Sequence, residues 1–148
     1  MGLTQSIQKL NFEDVQQIIK NPEGHVLINT LPENEQGCLL PNTISAYYEE
    51  QTINNLIKKG SKNIHIVIYG KNTSDDTIYK KYQQLIKIGF YNISVYPGGM
   101  FEWLMLQDIF GFNEFMTTVK ELDFLKYKPR RVLVAGLLGY NYTDRKEK

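Results

Sequence analysis

The chain has 148 residues and a single cysteine, Cys38. A disulfide framework is thereby excluded, and so is a zinc site built on paired cysteines. It has only two histidines, His25 and His65, with no metal-like partner at short spacing, so both read as structural and no metal is expected. Net charge is nearly absent, with 17 basic against 16 acidic residues. Nucleic-acid binders carry a clear basic excess, and a nucleic-acid partner is not expected here. No apolar run approaches the ~18 residues of a membrane span. The longest candidate, Val132 to Leu138, is far shorter. A secretion signal and an Arg-rich transit pattern are both lacking at the N-terminus. The expectation is an intracellular protein, cytoplasmic or organellar (for example mitochondrial). Met1-Gly2-Leu3-Thr4-Gln5-Ser6 matches the short myristoylation pattern, which makes Gly2 a candidate lipidation site and leaves peripheral membrane contact open.

What is present is an ordinary apolar fraction, 42%, in a chain long enough for one domain with a sizeable core. Asn11 followed by Asp14 forms a capping-box pattern ahead of Phe12, Val15, Ile18 and Ile19 at helical spacing. Asn21-Pro22-Glu23-Gly24 turns the chain into a short buried strand, His25 to Ile28. Residues 30–43 read as a loop. Ser45 caps a helix from Ala46 to Lys59, with Ala46, Ile53, Leu56 and Ile57 on its apolar face. Ile64 to Tyr69 is the clearest strand, continuous and β-branched, as expected where both faces are covered.

Ser74 or Asp75 is placed to cap the next helix, which presents Ile78, Tyr82, Leu85 and Ile86 inward and stops at Gly89. Ile93 to Tyr96 is a further strand. After the Pro97-Gly98-Gly99 turn comes an apolar helix, Met100 to Ile109. Beyond Gly111 the pattern becomes irregular; Val132 to Tyr140 is a candidate added strand or docking segment, and Asp144 to Lys148 a charged tail. Alternating strands and helices predict an α/β fold with a parallel central sheet and helices on both faces. In such sheets the working site lies beyond the carboxyl ends of the strands. The loop after Tyr69 is expected there.

The order of these features resembles the rhodanese-like domain family over roughly residues 8–110, leaving a C-terminal extension at 113–148. The strand Ile66-Val67-Ile68-Tyr69 followed by Gly70-Lys71-Asn72-Thr73-Ser74-Asp75-Asp76 is similar to the family's active-site loop. Gly89-Phe90 and Gly98-Gly99 with Trp103 match its Gly-Phe segment and Gly-Gly turn. The chemical positions depart from the pattern. The resemblance implies a catalytic cysteine at the opening of the loop, where Gly70 stands, and arginine near its close, where Asp75 stands. It implies an acid at Asn29, arginine at Leu31 and histidine at Leu39.

Sulfur transfer and the related phosphatase chemistry both need a thiolate. Glycine offers none, so no catalytic residue and no cofactor are expected. The expectation is a non-catalytic member acting through protein contacts, as an accessory or structural subunit of a larger assembly. Met100, Phe101, Trp103, Met105 and Phe110 are the candidate interface, set against the plainer reading of core packing. Two alternatives stand beside it. One is a sulfurtransferase or hydrolase using Cys38. The other is an anion nest formed by Gly70, Lys71, Asn72, Thr73, Ser74 and Asp75, where backbone N–H groups and a helix N-terminus meet.

Overall fold

A computed structural model describes residues 6–133. Gly2 and the charged tail lie outside the described residues, as does most of the 132–140 segment. Four strands, β1 (Gln8–Lys9), β2 (His25–Asn29), β3 (His65–Tyr69) and β4 (Ile93–Tyr96), form one sheet in the order β1-β4-β3-β2. Every pairing is parallel, and β2 and β3 are in register from His25↔His65 to Asn29↔Tyr69. Four helices connect and cover the strands: α1 (Phe12–Lys20), α2 (Ala46–Lys58), α3 (Thr77–Lys87) and α4 (Gly99–Phe110). The expected α/β architecture is therefore present.

Strand periodicity divides the core in two. On one face Leu27, Val67, Tyr69 and Tyr96 pack with Val15 and Ile18 of α1 and with Met100, Trp103 and Leu104 of α4. On the other, Ile28, Ile66, Ile68, Ile93 and Val95 pack with Ile53 of α2 and Ile78, Tyr82 and Leu85 of α3. Adjacent strand residues point to opposite faces, so a fully apolar β3 needs cover on both. Ile86, expected on the buried face of α3, is exposed instead.

The local signals hold in detail. The Asn11 side chain accepts from Asp14 N–H while the Asp14 carboxylate accepts from Asn11 N–H, both at 3.0 Å. Ser45 Oγ accepts from Tyr47 N–H at 3.2 Å, and α2 follows. For α3 the cap differs from expectation. Asp76 occupies the cap position without a side-chain bond, and Asp75 Oδ1 accepts from Thr77 N–H at 3.0 Å.

Residues 112–133 are not an appendage. Phe115 and Tyr127 are buried in the α1–α4 side of the core, with the Phe115 ring edge-on to Trp103 at 5.0 Å. Trp103 Nε1–H donates to Met116 O at 2.9 Å, and Gln107 Nε2–H to Phe115 O at 2.7 Å. This segment has no regular periodicity to announce it. Its order comes from side chains of α4 that bond its backbone, leaving few buried polar groups unpaired.

Candidate functional site

The loop between β3 and α3 lies where the sheet's carboxyl ends meet a helix N-terminus. Tyr69, the last residue of β3, is fully buried, and its phenol anchors a neighbouring loop. Leu40 N–H donates to Tyr69 Oη at 3.1 Å, and Tyr69 Oη lies 2.7 Å from Thr43 Oγ1. Because Thr43 Oγ1 already donates to Leu40 O at 2.7 Å, the Tyr69 hydroxyl is the donor between the two. Burial pushes the Tyr69 phenol well above the ordinary tyrosine range, so it stays protonated and serves as a fixed donor and acceptor.

Gly70 follows. A β-carbon added there would lie 2.5 Å from Asp75 Oδ2 and 2.7 Å from Thr30 Oγ1, closer than van der Waals contact allows. The Asp75 carboxylate thus fills the space that a side chain at position 70 would enter. It is held by loop and helix donors: Lys71 N–H to Oδ2 at 2.9 Å, Thr77 N–H to Oδ1 at 3.0 Å, and Thr77 Oγ1 to Oδ1 at 2.5 Å. Backbone N–H groups at a helix N-terminus favour an anion, and here the anion is the chain's own.

The rest of the loop is tied down from both sides. Asn72 is buried; its Oδ1 accepts from Ser74 N–H at 2.9 Å and its Nδ2–H donates to Tyr127 O at 2.8 Å. Lys71 Nζ pairs with Glu35 at 3.1 Å. Thr73 and Ser74 are exposed. From α4, Met100 N–H donates to Gly70 O at 3.0 Å and Phe101 N–H to Lys71 O at 2.9 Å. That approach requires Gly99: its φ is +65°, and a β-carbon there would stand 2.7 Å from Gly70 O and 2.9 Å from Asn72 N.

The other sequence-derived positions fall around this loop. Asn29 is buried at the end of β2, its Oδ1 accepting from Leu31 N–H at 3.0 Å. Leu31 is packed in the core. Leu39 is bonded to the extension, with Thr118 Oγ1 accepting its N–H at 3.0 Å and Leu39 O accepting Thr118 N–H at 2.8 Å. Cys38 is buried beneath the same segment, its thiol donating to Val119 O at 3.5 Å. Burial pushes the thiol upward, which suppresses the thiolate.

The candidate interface divides. Met100 and Trp103 are buried, 0% and 1% exposed, and belong to the core rather than to a surface. Phe101 and Met105 are half-buried, with the Phe101 ring 6.2 Å from Phe124 of the extension. Phe110 is exposed. Mean apolarity along α4 did not separate these positions, because the extension covers a face that would otherwise be wet.

A cavity of about 720 Å³ opens beside the loop, and its lining includes Thr30, Lys71, Ser74, Asp75, Asp76 and Thr77 as well as Lys128, Arg130 and Arg131. The cationic contribution from residues 128–131 was not anticipated. Only their clustering in the sequence, Lys126 to Arg131, signals it. Among the described residues no group of three or more His, Cys, Asp or Glu is placed to hold a metal ion, and no helix is long and apolar enough to cross a membrane.

Comparison with known proteins gives a consistent picture. The family model described as "Rhodanese-like domain" matches residues 11–106. No curated protein sequence matches the chain. An uncharacterized protein from Saccharomyces cerevisiae superposes with a TM-score of 0.54 at 20% identity, over 70% of this chain and 96% of that one. The BH2092 protein from Bacillus halodurans gives 0.56 at 20% identity, over 68% and 73%. A thiosulfate sulfurtransferase from Pseudomonas aeruginosa gives 0.54 at 16% identity; there the match covers 68% of this chain but 19% of that one. At such identities the likeness shows the fold.

Proposed function

The chain belongs to the rhodanese-like domain family, and on that basis we propose that it is a non-catalytic member whose fold serves protein contacts. The observation that carries this reading is the Asp75 carboxylate beside Gly70. The position that needs a thiolate nucleophile has no side chain, and the space ahead of it is filled by an internal anion. Closing the loop with carboxylate rather than guanidinium also opposes an anionic substrate, at a cost of about 4 kcal/mol for two unit charges 4 Å apart at an effective dielectric of 20.

Cys38 supports the same conclusion. It is 3% exposed, roofed by residues 117–119, and its thiol is shifted away from ionisation. A displaced nucleophile requires the opposite: exposure and a lowered thiol pKa. Contact with other proteins is favoured by apolar side chains on the outside, among them Ile109, Phe110, Leu122 and Leu125. Membership of a larger assembly follows from that reading.

Two measurements test it. A thiosulfate:cyanide sulfurtransferase assay on the purified chain is expected to give no turnover above the protein-free reaction; turnover that survives Cys38→Ser would refute the non-catalytic reading. Native co-purification of the tagged chain from its own cells is expected to return defined partners at fixed stoichiometry. A chain that always emerges alone and monomeric would remove the assembly role.

A second reading is favoured by the cationic residues of the cavity. Lys128, Arg130 and Arg131 line it together with Thr77 and Ser74, a composition that suits a small oxyanion held outside the Asp75 carboxylate. Binding to the folded chain raises its melting temperature. Titration with sulfate, phosphate and thiosulfate is the test, and flat melting curves at millimolar ligand would exclude it.

A further inference from the structure

The two histidines, read from the sequence as unrelated structural residues, meet. They are the first residues of β2 and β3, and the parallel register sets them side by side. Their Nδ1 atoms are 2.9 Å apart, with the rings edge-on and their centroids 5.1 Å apart. Two ring nitrogens at that distance share one hydrogen.

The neighbours decide which ring supplies it. His65 Nε2 lies 2.8 Å from Ser94 Oγ on β4, and Ser94 Oγ–H donates to Gln8 Oε1 on β1 at 2.8 Å. The carbonyl oxygen of Gln8 only accepts, so the serine proton is committed to it. Ser94 must then accept from His65 Nε2–H. A neutral His65 protonated on Nε2 has a bare Nδ1, and the hydrogen between the rings comes from His25 Nδ1. The donors run in one direction across all four strands: His25 to His65 to Ser94 to Gln8.

We propose that His25 and His65 form a one-proton site, a coupled pair that accepts a single added proton and excludes the second. With the first charge on His25 Nε2, its Nδ1–H still donates to His65, and the bond becomes charge-assisted. A second proton has only His65 Nδ1 to occupy. It would set N–H against N–H, and charge against charge, across 2.9 Å. Burial, and then the charge of His25, already hold the His65 imidazole below the ordinary range.

The one charged neighbour is an exposed carboxylate, whose attraction for a second proton is screened by water. The cavity beside the rings is lined by Glu23 and Gly24 before β2, Ser61, Asn63 and Ile64 before β3, and Asn92 before β4. Glu23 is the one charged side chain among them, and Ser94 and Gln8 are neutral. The second proton therefore breaks the ring-to-ring bond at the first residue pair of β2 and β3, next to the bond from His65 N–H to Gly24 O at 3.3 Å. This acid-sensitive seam lies at the end of the sheet opposite the β3–α3 loop.

The test is ¹⁵N-detected histidine NMR on the whole chain between pH 8 and pH 4.5. At pH 8 the expected tautomers are Nδ1–H for His25 and Nε2–H for His65. On acidification the pair is expected to titrate in two steps separated by at least about one pH unit, a tenfold difference in proton affinity. In His25→Phe the His65 step moves upward. Both rings in the Nε2–H form at pH 8, or one shared step for both residues, would overturn the proposal. The wild-type spectra decide it even where the variant fails to fold.

Discussion

The Asp75 carboxylate stands 2.5 Å from where a β-carbon on Gly70 would begin. The two residues are complementary: the missing side chain makes room for the carboxylate, and the carboxylate satisfies Lys71 N–H and Thr77 N–H. Restoring a cysteine at position 70 is therefore not a return to activity. Gly70→Cys is expected to cost about 1–3 kcal/mol from overpacking, read as a lower melting temperature, with no sulfurtransferase turnover. Gly70→Cys/Asp75→Ser is expected to recover part of that stability. Equal stability of Gly70→Cys and wild type would contradict the packing described.

Asn72 links the loop to the C-terminal extension through Tyr127 O. Asn72→Ala leaves a buried carbonyl without its donor and is expected to cost about 1–3 kcal/mol. The extension should loosen with it. Trypsin is expected to cut at Lys126 or Lys128 faster in the variant than in wild type, and unchanged cleavage would show that the tether carries little of the docking.

Gly99→Ala is expected to destabilise far more than a surface glycine change. It combines a left-handed backbone, about 1–3 kcal/mol of strain, with a contact 2.7 Å from Gly70 O. Gly37→Ala, where nothing lies within 4 Å, is the control and should be near neutral. Denaturant unfolding of the two variants gives the comparison.

The burial of His65 fixes the sign of a pH effect on stability. Its folded-state pKa is lowered, first by burial and then by His25. Below the unfolded value of about 6.5 the unfolded chain binds a proton that the folded chain refuses. This residue's contribution is thus fully present above that pH and is lost as pH falls toward the lowered folded value. The slope is at most about 1.4 kcal/mol per pH unit. Urea unfolding at pH 7.5 and 5.5 checks it; His65→Gln should flatten the difference.

Much of the fold was legible because its signals are local. The Asn11–Asp14 box, the β-branched run of β3 and the Gly98-Gly99 turn each specify their own geometry within a few residues. β1 was not legible: Gln8 and Lys9 have no strand character and are extended only because β4 pairs with them. The extension was missed for a related reason, since Phe115 and Tyr127 gain their meaning from α4 and the β3–α3 loop. At the site, Gly70 was readable as a lost nucleophile, but the role of Asp75 was only half seen. Its value at a helix N-terminus was clear from the sequence, whereas its approach to Gly70 depends on the loop's curvature. The histidine pair needed the β2–β3 register, although both strands place histidine first.

The most direct measurement exposes the purified chain to excess thiosulfate and records its intact mass without reductant. A sulfur-transferring member of the fold retains the transferred sulfur on a cysteine. The account predicts an unchanged mass, with Cys38 still alkylated in full only after denaturation, because that thiol is buried and pushed above its ordinary pKa. A persulfide on Cys38 of the folded chain would contradict it.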